Sequence, residues 1–377
     1  MNILVLNYEY PPIGGGGAPV SKDLAEAYSK NGDNVTVLTM RYGDLPQQSV
    51  ENGVTVYRLN CRRSQQFACS PLEQYSYLRA VKKFMKAHPE LQRYDVCHTH
   101  FVIPTGQAAL DNKQRYGIPY IITAHGSDVE GHNSNKKYVV LHALLRIRWR
   151  KIADGSCFII SPSEHILQLL NHNYPLGKYI YIPNGIDYEL YHSLNIQKDK
   201  DHRIIIMGRI QKFKNVQFII EALSRIKREK GLGDWGIDIV GDGPYRTELE
   251  KLVKLRGLDE STHFYGWIDN KSEKLNNLLK KASIFVSASN FENCPMSVVE
   301  ATIAGCYPLV SDIPAHRQML ADKFRFTIEN DDELVAKLID AMNMVDRSEN
   351  IPDMSRFDIK RVSDEYRKIL EKCQKQI

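Results

Sequence analysis

Short apolar runs, each bounded by polar or glycine-rich residues, recur along the chain and alternate with longer segments of helical period. In the first half, residues 2–7, Asn34 to Thr39, Gly53 to Leu59, Asp95 to His98, Pro119 to Ala124, Ser156 to Ser161 and Tyr179 to Pro183 predict buried strands. Ala18 to Lys30, Leu72 to Ala87 and Lys136 to Ile152 carry the 3.6-residue spacing of helices. After a polar stretch from Ser193 to His202, read as a linker, the pattern resumes with strands at Arg203 to Met207, Gly236 to Val240, Thr262 to Gly266, Ser283 to Ser287 and residues 307–311. Apolar strands alternating with helices predict parallel sheets covered on both faces, so the fold class is α/β. At 377 residues the chain exceeds the size at which one core keeps growing. Two Rossmann-like, doubly wound domains are therefore expected, residues 1–185 and residues 186–356.

Composition changes this picture little. Hydrophobic residues make up 43% and charged residues 25%, which is ordinary for a globular chain. The start, Met1-Asn-Ile-Leu-Val-Leu-Asn, is read as a first strand and not as a signal peptide, and no run reaches the length of a membrane span. Seven cysteines, odd in number and without a C-x-x-C pair, are read as reduced thiols of a cytosolic protein, with no disulfide or zinc framework. The net charge of +5 is uneven: residues 1–185 hold 20 Lys and Arg against 14 Asp and Glu, and the remainder holds 30 against 31. That excess suits an anionic surface or a phosphorylated acceptor and is too small to imply nucleic acid.

Candidate chemistry gathers at strand ends. The stretch Ser287 to Gly305 is a strand, loop and helix, so its loop lies where parallel sheets bind ligands. Pro295 suits a first helical position, and the amides after it, beginning at Met296 and Ser297, face outward with partial positive charge, as a phosphate requires. Glu292 in the loop and Glu300 about one turn inside the helix flank that site; the plainer alternative makes them a loop carboxylate and a helix surface charge. Arg209 and Lys214 lie just beyond another strand end, placed to converge on one diphosphate. Early in the chain, Tyr8-Glu-Tyr-Pro-Pro-Ile-Gly-Gly-Gly-Gly17 puts glycines between strand and helix, where a backbone can approach a ligand. His125-Gly-Ser-Asp128 follows another strand directly. His98 and His100 are expected on opposite faces of their strand and are set aside as a metal pair. His100 is read as structural, with lining an acceptor site as the lesser alternative.

The E-x7-E pair Glu292 and Glu300 resembles the signature of the retaining glycosyltransferases of family 4, which have the GT-B fold of two Rossmann-like domains facing each other across a cleft. Pro11-Pro12 with Gly16 and Gly17, His125-Gly-x-Asp128, Pro183-Asn-Gly-Ile-Asp187, Gly208-Arg209 with Lys214, and Gly241-Asp-Gly-Pro244 occur in the order of that family. The resemblance implies transfer of a sugar from a nucleotide-sugar donor, a UDP-sugar in preference to a GDP-sugar. The acceptor would be a glycan or a polyprenyl-diphosphate-linked sugar in cell-envelope polysaccharide synthesis. It implies that His125 and Glu292 meet the donor sugar, that Arg209 and Lys214 hold the diphosphate, and that Glu300 holds the ribose. Gly16, Gly17, Asp128, Cys294, Met296 and Ser297 would complete the substrate contacts. A terminal helix within residues 357–377 would pack back on the first domain. No cofactor and no metal are implied.

Two departures stand out: Asn215 replaces a usual glycine, and Glu292-Asn-Cys-Pro295 replaces Glu-Gly-Phe-Gly, so donor identity does not carry over. A GT-B sugar-nucleotide epimerase and a non-catalytic sugar-nucleotide-binding subunit remain as rivals. The one Asp-x-Asp, Asp199 to Asp201, is read as solvated linker. Lys136 to Ile152 places Tyr138, Leu141, Leu145, Trp149 and Ile152 on one stripe, with Arg146, Arg148, Arg150 and Lys151 at its end. It is either a core helix with a solvated basic face or a surface for peripheral contact with the inner face of the membrane.

Overall fold

The computed structural model describes residues 1–132, 136–196, 202–344 and 351–376. It divides into one unit of Met1–Ile186 with Phe357–Ile377 and a second of Asp187–Arg356. Asp199 and Asp201 lie outside the described residues.

The first unit runs β1 (Asn2–Leu6), α1 (Gly17–Lys30), β2 (Asn34–Met40), β3 (Gln48–Glu51), β4 (Val54–Leu59), α2 (Pro71–Ala87), β5 (Val96–His100), α3 (Thr105–Tyr116), β6 (Tyr120–Thr123), α4 (Lys136–Gly155), β7 (Ile159–Ser161), α5 (Glu164–Asn173) and β8 (Tyr179–Tyr181). Its sheet order is β3-β4-β2-β1-β5-β6-β7-β8, parallel except for the β3–β4 hairpin. Alternation along β1 divides the core: Leu4 and Leu6 join the layer of Tyr77, Val81, Trp149 and Ile152, while Ile3 and Val5 join that of Val20, Leu24 and Tyr28. The last helix, α13 (Ile359–Gln374), completes the second layer through Val362, Tyr366, Ile369 and Leu370.

The second unit runs α6 (Tyr188–Ile196), β9 (Arg203–Met207), α7 (Val216–Lys230), β10 (Gly236–Val240), α8 (Arg246–Leu255), β11 (Thr262–Gly266), α9 (Glu273–Lys281), β12 (Ala282–Ser287), α10 (Met296–Ile303), β13 (Tyr307–Ser311), α11 (Pro314–Arg317), β14 (Arg325–Phe326) and α12 (Asp331–Asn343). Its all-parallel order, β11-β10-β9-β12-β13-β14, reverses direction between β9 and β12. Both units are thus doubly wound, and each has a switch point where ligands of such sheets bind. No helix among the described residues is long and apolar enough to cross a membrane.

Three expectations are corrected. Residues 193–196 are the end of helix α6, in which Tyr191 and Leu194 are buried, so the polar linker does not begin at Ser193. Cys157 and Cys373 form a disulfide with Cα atoms 5.5 Å apart across 216 residues of sequence. Only the docking of α13 brings them together, so spacing could not reveal the pair, and the argument from cysteine usage to a reducing compartment loses its premise. His98 and His100 share one face of β5, with ring centroids 4.3 Å apart. Residues two apart on a strand point the same way.

Candidate active site

In the first unit the loops after β1, β5 and β6 gather the predicted residues. The N–H of Gly15 donates to Glu9 Oε2 at 2.8 Å, and α1 starts at Gly17 with Gly16 before it. A Cβ on Gly17 would sit 3.0 Å from Phe101 and 3.4 Å from the His125 ring. The missing side chain is what lets the helix start lie against the imidazole.

His125 is held from several sides. Its backbone N–H donates to Asp128 Oδ1 at 3.0 Å, and the Val102 N–H donates to Asp128 Oδ2 at 2.7 Å. Trp149 Nε1–H donates to the Asp128 carbonyl at 2.9 Å. Asp128 is therefore buried and occupied in shaping the loop, and burial raises its carboxyl above the usual range. The His125 ring packs 4.6 Å from Phe101, and its Nε2 lies 3.0 Å from His100 Nδ1. Burial holds His125 down to about 4 and His100 well below its ordinary value, so both imidazoles are neutral near pH 7. Behind them, His98 Nε2 meets Thr123 Oγ1 at 2.8 Å and its Nδ1 meets the Tyr28 hydroxyl at 3.2 Å. Thr123 in turn meets the Tyr366 hydroxyl of α13 at 3.0 Å.

In the second unit, the loops after β9 and β12 meet at the switch point. Gly241 and Gly243 are required there: a Cβ would lie 1.9 Å from the Gly208 carbonyl oxygen in one case and 2.2 Å from that of Ile210 in the other. Without those side chains, the Ile210 N–H reaches the Asp242 carbonyl at 2.9 Å. The Gly241-Asp-Gly-Pro244 turn thereby braces the loop that exposes Arg209. Lys214 Nζ donates to Glu292 Oε1, pairing the two loops. Phe213 stacks on Phe291 with centroids 4.5 Å apart, and Asn215 Nδ2–H donates to Asn290 Oδ1 at 2.6 Å. Asn215 has φ +50, the left-handed conformation that asparagine tolerates next after glycine, which explains the replacement seen in the sequence.

The helix that follows differs by one position from expectation. Pro295 precedes α10 and its carbonyl accepts the Val298 N–H at 3.0 Å, leaving Met296 and Ser297 as the opening residues. Cys294 Sγ lies 3.8 Å from Met296 Sδ. Glu300 is 5% exposed and accepts from Asn270 Nδ2 at 3.0 Å, which removes the surface-charge reading. Asn270 escaped sequence reasoning; its place just past the carboxyl end of β11 was the available signal. His316 also went unremarked: it is buried, held down to about 4 by that burial, and its Nδ1 lies 2.7 Å from the Ser311 carbonyl oxygen. Among the described residues, no group of three or more His, Cys, Asp and Glu side chains is arranged to hold a metal ion.

Two doubly wound units, each with a switch point at its strand ends, have the architecture of the GT-B fold. The family models agree: Glycosyltransferase Family 4 matches residues 14–190 and Glycosyl transferases group 1 matches residues 189–355. The chain accordingly belongs to the family 4 glycosyltransferases of GT-B fold, and it is an enzyme of the glycosyltransferase type.

Among curated relatives, the GDP-mannose:cellobiosyl-diphosphopolyprenol alpha-mannosyltransferase of Xanthomonas oryzae pv. oryzae is 24% identical, over 96% of this chain and 94% of the relative. The UDP-Gal:alpha-D-GlcNAc-diphosphoundecaprenol alpha-1,3-galactosyltransferase of Escherichia coli is 25% identical, over 68% of each. Among solved structures, a sucrose-phosphate synthase from Thermosynechococcus elongatus superposes with a TM-score of 0.80 at 15% identity, covering 100% of both chains.

Proposed function

We propose that the protein transfers a sugar, with retention of configuration, from a nucleotide-sugar bound by the second unit to a glycan or polyprenyl-diphosphate-linked acceptor bound by the first. The observation that carries this is the second switch point, where Lys214 pairs with Glu292 across the loops after β9 and β12, with Arg209 on the first loop and α10 opening after the second. As the bond from the anomeric carbon to the diphosphate breaks, negative charge grows on the departing oxygens. Two cations and the α10 amides are arranged to stabilise that charge, so the reaction needs no divalent metal on this reading. Lys214 is already paired with Glu292, so donor binding exchanges one anionic partner for another. Glu292 is then released to the hydroxyls of the sugar, while Glu300 takes the ribose hydroxyls. In the first unit, His125 offers a neutral ring suited to a sugar hydroxyl. Retention follows the family's chemistry.

A UDP-sugar is favoured and a GDP-sugar is the alternative; the two relatives above are named for one of each. Both names also carry a polyprenol diphosphate acceptor, which supports a lipid-linked acceptor here, and cell-envelope polysaccharide synthesis at the inner face of the membrane is the setting proposed. The surface that would meet the membrane differs from the stripe read in the sequence. Trp149 is buried and stacked on Tyr174 at 3.9 Å, and Ile152 is buried with it. The outward stripe of α4 is instead Val140, Leu144 and Ile147, exposed by 59%, 77% and 80%, continuing into Arg148 and Lys151. Apolar and cationic side chains on one helical face suit an anionic lipid surface.

A donor screen read by nucleoside diphosphate release, run with and without excess chelator, tests the proposal. Turnover of one nucleotide-sugar that persists in chelator is expected. No release with any donor in the presence of lipid-linked acceptors, or activity that returns only with added magnesium or manganese, would overturn it.

A further inference from the structure

The His125–His100 pair has two possible proton arrangements, and its surroundings distinguish them. Both rings are neutral, so one hydrogen lies between His125 Nε2 and His100 Nδ1, 3.0 Å apart. If His125 Nε2 carries it, His100 must hold its own proton on Nε2. That nitrogen is buried and has no hydrogen-bond partner among the described residues, so an N–H there would be an orphaned donor. If His100 Nδ1 carries it, His100 Nε2 is a bare lone pair, and buried donors without acceptors are the rarer omission in proteins.

His98, the neighbouring ring at 4.3 Å, is already engaged by Tyr28 and Thr123. His100 itself sits on the strand face covered by α1 and α13, with no exposed surface of its own.

We infer that His100 is a positioning residue that donates from Nδ1 to His125 Nε2 and so holds His125 as the Nδ1–H tautomer. His125 then carries its ring hydrogen on Nδ1, on the side of the imidazole against which the Gly17 helix start packs. A neutral donor of that kind suits a hydroxyl or ring oxygen of a sugar, and it cannot serve as a general base at that nitrogen. The inference deepens the proposed function and rests on its reading of His125 as a contact to the transferred sugar. It also explains the second histidine of the Asp95-Val-Cys-His-Thr-His100 strand, which no substrate contact requires.

The test is a tautomer measurement on the intact protein, by long-range 15N–1H correlation with 15N-labelled histidine, assigned through His125→Gln and His100→Gln. His125 is expected to show a protonated Nδ1 and a bare Nε2; the reverse pattern overturns the inference whatever the activity. Kinetics supply the second arm. His100→Phe, which has no donor, should lower kcat about tenfold or more with KM for the donor within twofold, and His100→Gln, whose amide can donate, should recover most of that loss. A His100→Phe enzyme with unchanged kcat overturns the inference as well. Should His100→Phe not fold, the native tautomer and the His100→Gln kinetics decide. Failure of the underlying reading looks different: His125→Phe would then transfer sugar normally while the tautomer of His125 stays as expected.

Discussion

At the carboxyl ends of β1, β5 and β6 the first unit gathers glycines, Phe101 and two neutral imidazoles, whereas at the ends of β9 and β12 the second gathers Arg209, Lys214, Glu292 and Glu300. The sheets are alike in winding, so architecture does not account for the contrast. Burial does. The first switch point is enclosed enough to strip the charge from its histidines; the second leaves Arg209 exposed and gives Lys214 a carboxylate partner. A neutral, donor-rich wall suits the hydroxyls of a sugar, and a charged one suits a diphosphate. The same topology thus presents two different chemistries according to what surrounds its strand ends.

The contrast can be broken most severely on the charged side. Arg209→Ala and Lys214→Ala should each lower kcat/KM by roughly two to three orders of magnitude, the scale of losing one transition-state charge donor. Near-normal turnover in both would remove the diphosphate role. On the neutral side the expected effect is smaller: His125→Phe should lower kcat by about tenfold to a hundredfold, the worth of one or two hydrogen bonds. Calorimetric affinity for the free nucleoside diphosphate should be unchanged in that variant, and its loss would show that the units do not divide the substrate as described.

Acid should also separate the units. Burial keeps His98 down to about 3 and His125 to about 4, so between those values and about 6.5 the unfolded chain binds protons that the native first unit does not. Stability therefore rises with pH across that window, and falls as pH is lowered through it, by at most about 1.4 kcal/mol per pH unit for each histidine. The first unit, with three such histidines, should open before the second, which has His316. Hydrogen exchange at pH 7 and pH 5 measures this; equal protection of the first unit at both would refute it. The smallest effect belongs to α4: Arg148→Gln should weaken binding to anionic liposomes at low salt by roughly fivefold, about 1 kcal/mol. A parent protein that treats anionic and neutral liposomes alike would end the membrane reading without touching the transferase assignment.

Much of this was legible beforehand because it is local. Strand ends, glycine turns and the cations beyond β9 follow from patterns a few residues long, and Glu292 and Glu300 sit on either side of one helix start. Other features were hidden in long-range packing. Asn270 reaches Glu300 across thirty residues, and no spacing advertises it. Trp149 reads as the tip of an amphipathic stripe until the Asp128 carbonyl and the Tyr174 ring are seen to enclose it. His98 and His100, two apart on β5, share a strand face, and that common face brings His100 to His125.

By itself, then, the sequence determined the two parallel sheets, their switch points and the residue types delivered there, because alternation of apolar runs and turn residues constrains the backbone over short distances. Tertiary structure alone decided which of those side chains are charged. Whether a histidine is neutral, or a lysine is paired, depends on desolvation and on partners distant in the sequence. Tyr366 of α13 closes over His98 in that manner, 5.2 Å from its ring, and the same helix carries Cys373 to Cys157. Such contacts exist only once the whole unit has folded.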